Sequence, residues 1–206
     1  VLISNSFGLR NVSLYERSLF LNDIINRFLS PLYNQINFAY FGKFNKNAIY
    51  LESILYITYL ISIYSSLLVI SIYSCFSKEI ILFLFGENWS ELANIIVWLK
   101  FYLVGTIIIA PITYLLISLD KTNILTFKNF FILVITLFII NFFDNNFNNF
   151  INYFSKLYFL SALLLSIYTY FYLKINFVKV LFLPIIFFAF DVMIDSLNLE
   201  NNFKIL

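Results

Sequence analysis

The sequence predicts an all-α fold: a polytopic transmembrane helix bundle with about six spanning helices and a short amphipathic helix near residues 78–86. The 206 residues are 62% hydrophobic and 12% charged, whereas soluble domains are about 45–50% apolar and about 25% charged. Mean hydropathy is +0.89. Apolar runs reach the length of about 20 residues that one bilayer crossing needs, and the charge of the connections between them alternates. These three observations together predict an integral membrane protein.

The predicted spans follow from the apolar runs, because only helices and closed barrels satisfy their backbone hydrogen bonds in lipid. Residues 1–8 resemble the end of an earlier span. Pro31 and Pro111 fall inside predicted spans and are expected to kink them, and Gly105 adds to the same weakness. The predicted spans are 14–40, 48–76, 92–119, 124–143, 150–173 and 177–194.

The connections differ in charge from one side to the other. Segment 77–91 has one lysine against three glutamates, and segment 141–149 has no basic residue. Since cytoplasmic loops carry the excess of Lys and Arg, the basic connections are expected in the cytoplasm and the others outside, with the tail 191–206. Three connections carry two lysines each: 39–47, 120–129 and 174–179.

A short helix is predicted at the outer surface, before the third span. SKEIILFLFGEN, residues 77–88, has an apolar core of about two turns, which is too short to cross a bilayer. Ser77 suits the start of this helix, and Gly86 suits its end. Trp89 follows as an expected anchor at the membrane interface.

The composition argues against most chemistry. Histidine is absent and Cys75 is the only cysteine, so an imidazole base, the common transition-metal ligand sets and an internal disulfide are excluded. No glycine-rich phosphate loop or nucleophile elbow occurs. The net charge of +2, without a cluster of basic residues, argues against nucleic acid. We therefore expect no catalytic residue, no metal and no cofactor. We also expect that the protein is not an enzyme.

The stretch 13–46 combines membrane length with charge. Glu16, Asp23 and Arg27 share a stripe about 60° wide on a helix, and the alternating loops favour a helix that crosses the membrane. Charges at this depth usually face a bundle interior or a water-filled path. Asp23 and Arg27, in i,i+4 spacing, could be a structural ion pair, or Arg27 could bind an anionic group such as pyrophosphate.

Three more charges have two interpretations each. Glu16 and Arg17 lie about one turn inside the predicted outer surface, where they could reach the interface or face the same cavity. Lys100 follows Trp98 in another span and could do either as well. The candidate substrate-binding residues are therefore Arg27, Asp23, Arg17, Lys100 and Glu16.

Three stretches resemble one family. They are FGLRNVSLYERSLFLNDIINRFLSPLYNQINFAYFGKF at 7–44, KEIILFLFGENWSELANIIVWLKFYLVG at 78–105 and PITYLLISLDKTNILTFKN at 111–129. Together they resemble oligosaccharide flippases of the O-antigen and polysaccharide-transporter type, within the multidrug/oligosaccharidyl-lipid/polysaccharide exporter superfamily. The FGENW block is the most specific part, and the resemblance covers about residues 7–140.

The resemblance implies one lobe of a two-lobe transporter. Residues 1–206 correspond to the C-terminal lobe as a single transmembrane domain. The N-terminal lobe is absent from this chain, whose first residue is Val rather than Met. The family's cavity-facing basic residues bind the pyrophosphate of a polyprenyl-linked glycan, a role that Arg17, Arg27 and Lys100 would take here.

The implied function is the flipping of a lipid-linked oligosaccharide across the bacterial inner membrane for lipopolysaccharide or other surface polysaccharide. The implied partners are the lipid bilayer, the polyprenyl-linked glycan, the other lobe and a polysaccharide polymerase. Two alternatives stay open: a multidrug cation antiporter of the same superfamily, and a structural subunit of a membrane complex encoded in an AT-rich organelle genome. A membrane glycosyltransferase or polymerase is disfavoured because the outer loops are short.

Overall fold

The structure is a computed structural model that describes residues 2–44, 48–142 and 147–173, and these form a bundle of six α helices with one short 3-10 helix. Four of the helices are long and apolar enough to cross a membrane. The predicted helical membrane bundle is therefore confirmed. The helices are α1 Leu2–Phe44, α2 Ala48–Phe85, α3 Leu92–Trp98, α4 Lys100–Ser118, α5 Thr122–Phe142 and α6 Phe147–Leu173, and the 3-10 helix is Glu87–Trp89.

The first predicted span lies within α1, which is a helix but is not among the four most apolar ones. Its internal charges lower its hydropathy. Gly8, at φ 81°, separates residues 2–7 from the rest of α1, a conformation that glycine adopts without a steric penalty. The helix continues through Pro31. The sixth predicted span, 177–194, lies outside the described residues.

The second span and the short helix form one continuous element, α2, instead of two. The expected division is still visible, because the backbone at Phe76 leaves helical values (φ −126°, ψ 16°). The helix ends where expected, at Gly86 (φ 79°), whose N–H donates to the carbonyl of Leu82 at 3.1 Å. This arrangement places the 3-10 helix with Trp89 directly after the bent end of α2.

The third predicted span is divided in two at Leu99, whose ψ of 2° ends α3 and begins α4. A new helix start leaves backbone N–H groups without intrahelical partners. One of them is satisfied from another helix, since the Tyr102 N–H donates to the hydroxyl of Ser155 on α6 at 2.9 Å. The hydroxyl of the fully buried Ser155 thus acts as a cap for α4.

Helix α4 occupies the centre of the bundle and packs against α1, α2 and α6. It approaches α6 closely at Gly105, where an added Cβ would lie 3.1 Å from the Cα of Phe159 and 3.2 Å from the Tyr158 carbonyl oxygen. Gly105 therefore permits close helix packing, as small residues do between membrane helices. The prediction that it mainly weakens α4 missed this role, and α4 also continues through Pro111.

The connections gather at two ends of the bundle. At the basic end, Phe41 of α1, Leu51 of α2 and Leu116 of α4 belong to one packed cluster. At the acidic end, Phe7 of α1 packs on Phe147 of α6 with ring centroids 5.7 Å apart. The predicted basic and acidic connections that the structure describes thus lie at opposite ends.

Candidate functional site

The charged face of α1, defined as Glu16, Arg17, Asp23 and Arg27, lies on the surface of the described bundle. All four side chains are exposed. The structure confirms that Glu16, Asp23 and Arg27 share one side of the helix, as the helical period requires. The exposure of these side chains also shows that the described bundle does not bury this side of α1.

Apolar side chains accompany these charges. Phe20, Ile24 and Phe28 are all exposed on α1 beside the charged face. Charged and large apolar side chains are therefore mixed on this exposed part of α1. A surface with charges and large apolar groups side by side suits a boundary between an aqueous path and a partner or lipid, because charge alone at membrane depth is costly.

Arg17 is anchored at the acidic end. Its guanidinium carbon lies 5.3 Å from the centroid of the Trp89 ring and 5.9 Å from that of Phe85. Such cation–π contacts contribute about 0.5–1 kcal/mol at exposed sites. They fix the guanidinium over aromatic faces while its N–H groups stay available to an anion. Arg17 therefore lies beside Trp89 at the acidic end of the bundle.

Asp23 and Lys100 occupy different surroundings. Asp23 lies near enough to Tyr102 of α4 to interact with it electrostatically. Lys100 begins α4 and is half-buried, with its ammonium 5.3 Å from the ring centroid of the neighbouring Phe101. The helical period puts Lys100 about 120° away from Thr106, which is the residue of α4 that bonds to α1. Lys100 therefore lies on a different face of α4 from the one that meets α1.

A second polar stripe on α1, missed from the sequence, faces the bundle core. Ser18, Asn22 and Asn26 recur at i,i+4 spacing. Ser18 and Asn22 are fully buried. The Asn26 amide donates to the Thr106 hydroxyl on α4 at 3.2 Å, whereas neither amide atom of Asn22 has a hydrogen-bond partner among the described residues. The i,i+4 spacing of these three residues is visible in the sequence. The charged residues on the other side of α1 gave the stronger signal for a functional site.

Aromatic side chains join α1, α4 and α6 next to this stripe. Tyr102 and Tyr158 have ring centroids 4.6 Å apart, and Tyr102 stacks on Phe154 at 5.7 Å. Tyr15 meets Phe154 edge-on at 6.0 Å. Because offset and edge-to-face pairs stabilise beyond simple burial, this cluster holds the polar stripe of α1 against the centre of the bundle.

A polar cleft of about 180 Å³ opens at the acidic end between α1, α3 and α6. Its polar lining consists of three amides, one carboxylate and one indole. The carboxylate accepts from the Arg10 guanidinium at 2.9 Å in an exposed ion pair. These groups offer hydrogen-bond donors, acceptors and an aromatic ring in one place. The residues are Asn11, Asn94, Asn148, Glu91 and Trp98.

This arrangement can bind ligands, but the described residues bring no reactive set together. Among them, no group of three or more His, Cys, Asp or Glu side chains could hold a metal ion. The site consists of fixed cations, amides and aromatic faces. No protein-family model matches the chain, and neither a curated protein nor a solved structure matches it.

Proposed function

We propose that this membrane protein forms one lobe of a transporter that flips a polyprenyl-pyrophosphate-linked oligosaccharide across the bacterial inner membrane for surface polysaccharide assembly. The observation that carries the proposal is the charged face of α1. Four ionisable side chains lie exposed along one helix of a bundle that otherwise has four candidate membrane spans. No bond is made or broken in this function.

The surfaces of α1 and α5 differ in a way that supports a water-filled path beside α1. The outer side of α5 carries exposed apolar side chains such as Phe127, Phe130 and Leu133, as expected of contact with lipid. Ionised groups in lipid are unfavourable by at least about 2.5–3.5 kcal/mol each for Arg or Asp at the centre of a helix. The charged face of α1 therefore favours water, in a cavity shared with a second lobe.

The spacing of the two arginines suits the movement of an anionic headgroup. Arg17 and Arg27 are ten residues apart, which is about 15 Å along a helix and about 80° around it. Each guanidinium can form a bidentate pair with phosphate oxygens, so the pyrophosphate could pass from one to the other. Glu16 and Asp23 keep the path near neutrality, which prevents either arginine from trapping the anion.

The polar cleft at the acidic end supports a glycan as the cargo. Sugar hydroxyls are both donors and acceptors, and the amides of Asn94 and Asn148 offer both kinds of group. The indole of Trp98 adds an amphipathic ring surface. The cleft lies near Arg17, whose guanidinium stacks on Trp89. A lipid-linked sugar arriving at this end would meet a cation for its phosphates and amides for its ring.

The experiment is a complementation assay with the natural full-length protein in a bacterium that lacks the gene and any redundant transporter. Wild type should restore surface glycan, whereas Arg17→Ala and Arg27→Ala should reduce it at least tenfold and leave lipid-linked oligosaccharide in the inner leaflet. Lys121→Ala is the control, because Lys121 is exposed beyond the end of α4. Unchanged surface glycan on deletion of the gene contradicts the proposal.

The same strain separates the alternatives. A cation antiporter predicts lost drug resistance with Asp23→Asn, and little effect of Arg27→Ala. A structural subunit predicts that neither substitution changes transport while the parent complex loses stability. If Asp23 and Arg27 form a purely structural pair, the double alanine variant should regain the function that each single variant loses.

A further inference from the structure

A groove of about 500 Å³ runs between α5 and α6 on the surface of the bundle. Its walls are almost entirely apolar, with Phe131 and Ile135 on α5 facing Leu157, Leu160 and Leu164 on α6. On α5 the lining residues extend from position 124 to position 135, which is about 16 Å of helix. This is an elongated apolar channel open along its length, unlike the polar cleft at the acidic end.

One cation breaks the apolar lining. Lys128 of α5 lines the groove and is half-buried. Its ammonium lies 5.6 Å from the ring centroid of Tyr158, so its face toward α6 is aromatic. Among the described residues, Lys128 has no carboxylate within ion-pair distance. A partly desolvated ammonium without an anion is unfavourable, and the site therefore has the chemistry of an incomplete ion pair.

The position of Lys128 along α5 indicates which kind of anion could pair with it. Lys128 lies six residues after Thr122, about 9 Å along α5 from its start at the basic end. From that position in a spanning helix a lysine can extend its ammonium toward the headgroup region, where the anions are lipid phosphates. The lipids of that region also supply hydrocarbon chains that can lie along the apolar walls beyond it.

We propose that the groove between α5 and α6 binds one anionic phospholipid, with its phosphate at Lys128 and an acyl chain along the apolar walls. Charge complementarity selects the headgroup, and the apolar lining selects the chain. The ring of Tyr158 faces one side of the ammonium and leaves its N–H donors available to phosphate oxygens. This proposal is independent of the transport function, because it needs only a membrane around the four spanning helices.

The test is native mass spectrometry of the natural full-length protein released from nanodiscs that contain phosphatidylglycerol and phosphatidylcholine in equal amounts. Wild type should retain phosphatidylglycerol in preference. Lys128→Gln should lower that preference about tenfold, as expected from the loss of one charge-assisted contact. Lys128→Arg should keep it. Lys121→Gln, at an exposed position before α5, should not change it.

A second variant tests the chain rather than the headgroup. Leu164 is 53% exposed within the groove, so Leu164→Trp should fill it and abolish lipid retention without lowering the melting temperature. Equal retention of phosphatidylglycerol by Lys128→Gln and wild type overturns the proposal. A lower melting temperature of Leu164→Trp in every lipid also overturns the proposal, because that result means that protein rather than lipid covers the groove.

Discussion

Helices α4 and α5 are nearly equal in length and hydropathy, yet one is the centre of the bundle and the other is at its edge. The candidate spans Lys100–Ser118 and Thr122–Asn141 have mean hydropathies of 2.0 and 2.1. Of their most apolar windows, 61% is buried in α4 and 11% in α5. Hydropathy therefore identifies helices that cross a membrane, but it does not identify which of them pack against one another.

Small and hydroxyl residues account for the difference. Lipid tails are as apolar as leucine, so association of membrane helices depends on close packing and on interhelical hydrogen bonds. Helix α4 has Gly105 against the backbone of α6 and Thr106 bonded to Asn26 of α1. Helix α5 presents Phe130 and Leu133 outward instead, and these side chains are as stable in lipid as in a protein core.

The largest effect is expected from Gly105→Leu, which places a branched side chain where even a Cβ would lie 3.1 Å from the backbone of Phe159. Overpacking of a core usually destabilises by about 1–3 kcal/mol, and the closeness of backbone atoms here puts the effect at the upper end. The midpoint of unfolding in SDS should fall sharply. Val134→Leu is the matched control on α5, because Val134 is 46% exposed.

An unchanged midpoint for Gly105→Leu contradicts the close approach of α4 and α6. Gly105→Ala should lie between wild type and Gly105→Leu, since the better helix propensity of alanine, about 1 kcal/mol, partly offsets the contact. An effect of Val134→Leu as large as that of Gly105→Leu means that α5 is packed on both sides, and the comparison between the two helices then fails.

The next effect tests how α4 begins. Ser155→Ala removes the acceptor of the Tyr102 N–H and leaves a donor without a partner, which destabilises by about 1–3 kcal/mol when the donor is buried. We expect a lower unfolding midpoint and faster hydrogen exchange at the start of α4. Ser71→Ala is the control, because Ser71 is exposed and bonds within its own helix to Leu67. Equal behaviour of the two variants contradicts the capping role.

A smaller effect is expected for the hydroxyl contact between α2 and α6. Tyr59 is fully buried and its hydroxyl meets that of Ser166. Interhelical hydrogen bonds in membranes contribute about 0.6 kcal/mol on average, so Tyr59→Phe should shift the unfolding midpoint only slightly. The double variant with Ser166→Ala should show coupling. Tyr64 is 63% exposed, so the control variant Tyr64→Phe should unfold at the same midpoint as wild type. If Tyr64→Phe shifts the midpoint as much as Tyr59→Phe does, the contact between Tyr59 and Ser166 does not stabilise the bundle.

The sequence was sufficient for the features that depend on local rules. Apolar length predicted a bundle of membrane helices, of which four are candidate spans among the described residues. The preference of glycine for positive φ predicted the helix end at Gly86, where φ is 79°. The break at Leu99 was not predictable, because the hydroxyl that satisfies the Tyr102 N–H after it belongs to Ser155, 53 residues along the chain and on another helix. The buried Asn22 was overlooked for a similar reason, since whether a polar side chain faces lipid, water or protein depends on packing partners that a single helix does not reveal.

The candidate site was predicted in composition but not in orientation. Periodicity placed Asp23 and Arg27 on one side of α1, which the structure confirms. It could not show that the described bundle leaves this side exposed, because exposure depends on the direction in which α4 packs. Similarly, Lys128 belonged to a predicted basic connection, and only the packing of α5 on α6 showed that it lines an apolar groove.

The smallest effect is expected on the outer side of α5 and gives the comparison its sharpest test. Phe130 is 64% exposed, so Phe130→Leu exchanges one contact with lipid for another and should leave the unfolding midpoint within experimental error. Phe101→Leu is the partner variant on α4. Phe101 is 1% exposed and its ring centroid lies 5.6 Å from that of Phe159, so this substitution should destabilise by about 1 kcal/mol. If the unfolding midpoint falls equally for Phe130→Leu and Phe101→Leu, a protein surface covers the outer side of α5. The edge of the described bundle is then an interface with protein rather than with lipid.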